Sequence, residues 1–133
     1  DKGRYNGIKE GMVAISYLGL VGRVMETASS TSKIMLINDP NFSVSALVQR
    51  SRQEGLISGS LGSALVRRYL PKEADIRVAD TIVTSGLTDL YPKGLLIGKV
   101  MEVGEEFSGL SRYAIIKPAV ELSNLEEVLV VAQ

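Results

Sequence analysis

Leu20-Val21-Gly22-Arg23-Val24-Met25-Glu26 returns 76 positions later as Leu96-Ile97-Gly98-Lys99-Val100-Met101-Glu102, identical or conservatively changed at every place. Both stretches are rich in Val, Leu and Ile and read as strands. A glycine inside a strand loses packing and adds chain entropy unless the backbone must bend or be closely approached there. Gly22 and Gly98 are therefore structural glycines, of the kind found at the corner of a small barrel. Upstream, Ile8 to Val13 echoes Ile76 to Val83 with a gap. Downstream, Ser32-Lys33-Ile34 loosely echoes Arg112-Tyr113-Ala114-Ile115. The pattern is that of a duplicated β unit.

Outward from the repeat, strand signals dominate. Ser43 to Gln49 places Val44, Ala46 and Val48 on one face and mostly polar residues on the other, as a half-buried strand does. Further short runs cover Met12 to Ser16, Lys33 to Ile37, Ala64 to Leu70, Thr81 to Thr84, Tyr113 to Lys117 and Val128 to Val131. Asn6-Gly7, Asn38-Asp39-Pro40-Asn41, Gly59-Ser60-Leu61-Gly62, Ser85-Gly86 and Pro92-Lys93-Gly94 separate them as turns. Helix is confined to one capped turn, Ser123 to Glu127. The class is all-β, as barrels or a sandwich. Each half alone is near the lower limit for an independent core, so the halves are expected to pack as one unit.

Composition narrows the chemistry. The 133 residues are 45% hydrophobic and carry 15 basic against 15 acidic side chains, with no His and no Cys. That balance argues for a folded protein and against a polyanion-seeking surface. Without His or Cys there is no Ser-His-Asp triad, no thiolate nucleophile, no disulfide and no Cys/His metal site. The longest apolar runs fall far short of the roughly 20 residues that cross a bilayer. The chain opens at Asp1 without Met, which suggests excision from something longer.

Several motifs invite sharper readings. Ser85 in Thr84-Ser85-Gly86 would need Lys93 or Lys99 as a base to act as a nucleophile, and the segment reads better as a turn after a strand. Asp39, Asp75, Asp80, Asp89, Glu105 and Glu106 lack metal-loop spacing, so no metal site is assigned. Asp39, Asp75 and Asp80 read better as turn residues bonding local amides. Gly55 to Gly62 lacks the Lys-Ser/Thr ending of a phosphate loop and reads as hairpin glycine. Arg50, Arg52, Arg67 and Arg68 read as charges blunting a strand edge, with no nucleic-acid partner implied.

Leu87-Thr88-Asp89-Leu90-Tyr91-Pro92 is a turn-rich loop with three large apolar side chains. Either Leu87, Leu90 and Tyr91 plug a barrel end, or they join an exposed interaction patch. Phe42, beside Pro40 and Asn41, poses the same choice. Phe42, Leu87, Leu90, Tyr91 and Pro92 are the candidate partner-binding residues, since aromatic side chains at turns make good anchors.

Leu70 to Leu87, followed by Tyr91-Pro92-Lys93-Gly94-Leu95-Leu96-Ile97-Gly98-Lys99-Val100, resembles the extracytoplasmic β domain of the rod shape-determining MreC family. Asp1-Lys2-Gly3 with Asn6-Gly7-Ile8, Gly19 to Val24 leading into Thr31 to Ile34, and Leu125 to Val131 agree in the same order. The resemblance spans essentially the whole chain. It departs from the family pattern at Ala79, where Gly is usual, at Thr88-Asp89, which replaces a Gly pair, and at Leu96, which replaces a frequent Pro. It implies two packed small β-barrels, approximately residues 1–70 and 71–133, in an extracytoplasmic domain anchored by a transmembrane helix upstream of this chain. It further implies a non-catalytic scaffold of the cell-elongation complex, without cofactors. Its partners would be the elongation-specific class B penicillin-binding protein, MreD, other elongation proteins and further copies of itself. The competing reading is a β-barrel adaptor of a secretion or efflux assembly, which would require lipoyl-like and long helical hairpins that this sequence does not offer.

Overall fold

A computed structural model describes residues 11–27, 32–60, 65–87, 91–123 and 129–131. Ten strands run along it: β1 (Val13–Ser16), β2 (Gly19–Thr27), β3 (Ser32–Leu36), β4 (Ser43–Val48), β5 (Glu54–Gly59), β6 (Leu65–Leu70), β7 (Thr81–Thr84), β8 (Leu96–Glu106), β9 (Ser111–Pro118) and β10 (Leu129–Val131). A 3-10 turn, Phe107–Gly109, joins β8 to β9. The expected helical turn at Ser123 to Glu127 lies almost wholly outside the described residues.

Strands β4-β5-β6-β9-β8-β7 close into a barrel, while β10-β1-β2-β3 form a four-stranded sheet. The expectation of two barrels thus becomes, among the described residues, one closed barrel and one sheet. The division at residue 70 does not follow the strands either, because β6 and β7 on its two sides belong to the same barrel. Antiparallel neighbours joined by short turns let the chain stay in the barrel from β4 to β9. The two assemblies share one apolar core, in which Val13, Leu20 and Val21 of the sheet join Ile57, Leu65, Ile82, Ile97 and Ile116 of the barrel. Each such fully buried side chain contributes roughly 1.5 to 3 kcal/mol.

The sequence repeat is a repeat of geometry. In the sheet, Ala14 pairs with Gly22 and Ile15 with Leu20, so Val21 is skipped as a bulge. In the barrel, Ile82 pairs with Gly98 and Val83 with Leu96, so Ile97 is skipped. On the opposite edges the register passes over Met25 and Met101 in the same way. The flanks match as well. Gly11 N donates to Val24 O and Ala79 N to Val100 O, both at 2.8 Å, while Ile37 N to Val21 O and Ala119 N to Ile97 O are both 2.9 Å. Residues 34–37 therefore correspond to 116–119. The looser downstream echo of Ser32–Ile34 in Arg112–Ile115 is corrected by that register, which sets Ile34 opposite Val24 and Ile116 opposite Val100.

Gly22 and Gly98 do the same work in the two copies. A Cβ at Gly22 would overlap the backbone carbonyl of Met35, and one at Gly98 the carbonyl of Lys117. The crossing strand approaches too closely for any side chain, as the repeated glycine implies.

Candidate partner-binding surface

The 85–95 loop is held by Thr84, which is fully buried at the end of β7. Its hydroxyl donates to Pro92 O at 2.6 Å and accepts from Leu95 N at 2.8 Å. Its backbone closes the loop from both sides, with Thr84 N to Leu95 O and Gly94 N to Thr84 O at 2.9 Å. Ser85 Oγ accepts the Leu87 amide at 3.2 Å. The Ser85 segment is thus a side-chain-bonded turn after a strand, as its composition suggests.

That anchoring sorts the five candidate residues. Phe42 and Tyr91 are buried against each other, ring centroids 6.0 Å apart and planes at 69°, an edge-to-face arrangement that favours the pair beyond its buried area. Burial holds the Tyr91 phenol above its ordinary pKa, against the opposing pull of the Arg23 charge on β2. These two aromatics join the loop to the core and present no surface to a partner. Pro92 is exposed, with its carbonyl taken by Thr84. Leu90 lies outside the described residues. Leu87 remains, 70% exposed.

Leu87 faces Leu56 of β5, itself 53% exposed, across a groove of about 290 Å³. Ser45, Ala46, Gly55 and Ser85 form its floor, with Glu54 on its lining. Small residues there let a partner approach the barrel backbone between two leucines. Leu56 was missed by sequence reasoning because Gly55 to Gly62 looks like hairpin, whereas Glu54–Gly59 is a strand of the barrel wall. Gly55 carries no Cβ because the inward Arg67 side chain occupies that space. Desolvation lowers the Arg67 pKa.

A second apolar cluster, also unread from sequence, caps the β8–β9 hairpin. Phe107 and Leu110 are 55% and 77% exposed, and Phe107, Ser108 and Gly109 all have positive φ. Two non-glycine residues held in the left-handed region mark local strain. The available signal was an aromatic between acidic and Gly-containing turn residues.

Several of the charged candidates are structural, and Asp89 lies outside the described residues. Arg50 Nε and Nη2 grip Asp80 at 2.9 Å each, and Nη2 and Nη1 grip Asp75 at 2.8 and 3.1 Å. Asp80 Oδ2 also accepts the Arg77 amide at 2.8 Å. Hydrogen bonds donated by Arg50 hold both carboxylates below the usual range, and the same bonds, to Asp80 first and then to Asp75, raise the guanidinium. Arg50 is therefore a clamp between β4 and the 75–80 segment, not a solvated edge charge, and neither carboxylate is left open toward a cation. Asp39 accepts the Asn41 amide at 2.8 Å, the local turn bond its place before Pro40 suggests. Among the described residues no cluster of three metal-ligating side chains occurs, and no helix is long and apolar enough to cross a membrane.

Comparison with known proteins follows the same lines. The family model "Rod shape-determining protein MreC, barrel core" matches residues 1–132. The cell shape-determining protein MreC of Listeria monocytogenes is 34% identical over 135 residues, which is 98% of this chain and 46% of that protein. The chain thus spans less than half the length of that curated relative. The crystal structure of MreC from Pseudomonas aeruginosa superposes with a TM-score of 0.94 at 28% identity, covering 99% of this chain and 86% of that one. An MreC chain solved in complex with Penicillin-Binding Protein (PBP2) from Helicobacter pylori shares the fold at a TM-score of 0.71 and 19% identity, over 86% of this chain and 73% of that one. Repeat, barrel, sheet and sequence agree, and the chain belongs to the MreC family of rod shape-determining proteins, of which it carries the barrel core.

Proposed function

We propose that this chain is the extracytoplasmic, partner-binding core of a non-catalytic scaffold of the cell-elongation complex, anchored through a membrane helix upstream of it. Its partner is the elongation-specific class B penicillin-binding protein, and through it the scaffold positions side-wall peptidoglycan synthesis. MreD and further copies of the chain complete the assembly. The observation that carries the reading is the match to the MreC barrel core over residues 1–132. The Helicobacter pylori complex supports the choice of partner.

The groove between Leu56 and Leu87 is the docking surface best suited to this role, because exposed leucines around a small-residue floor offer apolar area with little strain on entry. Immobilised chain should bind the soluble ectodomain of its cognate transpeptidase. Leu87→Asp should weaken that binding tenfold or more with an unchanged β-type circular dichroism spectrum. Absence of binding by the unaltered chain would remove the function, whereas unaltered binding by the Leu87→Asp variant would remove only the site.

A further inference from the structure

The two copies of the repeat differ in what covers one face. In the sheet copy Leu20 is fully buried, Met35 is half-buried against the core, and Arg23 is half-buried beside Tyr91. The matching residues of the barrel copy are Leu96, Lys117 and Lys99. Leu96 is 36% exposed and both lysines are exposed. With Thr81, Gly98 and Pro118 they line an open groove of about 280 Å³. A face that the chain seals with its own side chains in one copy stands uncovered in the other.

Charge says what fits there. The β8–β9 register sets Lys99 directly opposite Lys117, and like charges so placed destabilise a strand pair. Among the described residues, every ion pair involves Arg50, Arg68 or Arg77, and none involves either lysine. Gly98 leaves the backbone as the floor, while Leu96 and Pro118 supply apolar walls. We propose that this groove binds an extended acidic segment of a protein partner, one carboxylate bridging Lys99 and Lys117 and an adjoining apolar side chain resting on Leu96 and Pro118. Assigning that segment to the transpeptidase rests on the function proposed above; the groove's preference for an acidic segment does not.

The test uses two probes. Nitrogen-15-labelled chain titrated with the blocked peptide Glu-Leu-Glu-Leu-Glu should show salt-sensitive shifts centred on the amides of Leu96, Gly98, Lys99, Lys117 and Ala119. The charge-reversing Lys117→Glu should abolish them and cut affinity for the transpeptidase ectodomain tenfold or more. The same change relieves the like-charge pair, so the isolated variant should melt about 1 to 4 °C higher, a gain that a purely structural lysine would not combine with lost binding. Lys117→Gln should give an intermediate loss and serves if the reversal fails to fold. Peptide shifts at the groove without ectodomain binding would support the groove and overturn the partner. The proposal is overturned if shifts fall elsewhere or are absent, if both variants keep both affinities within twofold, or if Lys117→Glu removes only self-association seen by sedimentation.

Discussion

The β1–β3 and β7–β9 units share a glycine, two bulges and matching flanking hydrogen bonds, yet among the described residues one belongs to a four-stranded sheet and the other to a closed barrel. The difference lies in what each unit meets. The first is extended by β10 and packs its Leu20 and Arg23 face inward, with Gly19 against the Leu96 carbonyl. The second is closed by β4, β5 and β6 and leaves its Leu96 and Lys99 face open. One local geometry therefore ends in a covered face in one place and an uncovered face in another, the outcome being set by side chains at a few matched positions.

If the copies are equivalent at their crossing points, Gly22→Ala and Gly98→Ala should each destabilise the chain by about 3 kcal/mol, since the added methyl would overlap backbone and not a movable side chain. Urea denaturation measures both, and a large cost at only one glycine would break the equivalence.

A smaller effect should mark where the copies diverge. Met12 and Asp80 hold matching places, their carbonyls accepting from Val24 N and Val100 N, and only Asp80 engages Arg50. Asp80→Asn should cost about 2 kcal/mol at neutral pH by weakening a partly buried, bidentate pair. Because Arg50 depresses the folded-state pKa of Asp80, the stabilisation is present above the unfolded carboxylate value near 4 and is lost as pH falls through the lower folded value. Acid titration of the melting temperature should thus be steeper below about pH 4 for the unaltered chain than for Asp80→Asn.

The smallest expected effect is a gain. Ala79 has φ 77° where its counterpart Gly11 has φ 88°, and a Cβ in that region costs energy that glycine avoids. Ala79→Gly should stabilise the chain by about 0.5 to 1 kcal/mol after the entropy of the freer unfolded chain is subtracted. An unchanged or lower denaturation midpoint would show that the turn already accommodates Ala79 without strain.

Much of this architecture is legible where the signal is local. Val44, Ala46 and Val48 alternate as a buried face and are buried, and the repeated heptapeptide marks the two bulged strands. Legibility fails where long-range packing decides. Glu54–Gly59 reads as hairpin because its two glycines answer to Arg67 and to the Asn38–Asp39 backbone, not to a turn. Phe42 and Tyr91 read equally as a buried plug or an exposed anchor in turn-rich sequence, and burial decides, because each is the other's packing partner from a distant part of the chain. The Arg50 clamp draws on Asp75 and Asp80, 25 and 30 residues away, with no periodicity to announce it. Which candidates stay on the surface, Leu87 and Pro92, depends on the Thr84 staple that turns the loop.

We propose that this chain acts by contact through the exposed wall of its barrel, while its sheet copy serves cohesion. Methyl spectroscopy of leucine-labelled chain with the transpeptidase ectodomain tests it most directly. The account predicts that Leu56, Leu87 and Leu96 methyl signals shift on binding while those of Leu20 and Leu36 do not. Shifts confined to Leu20 and Leu36, or no shift at all at saturating ectodomain, would contradict it.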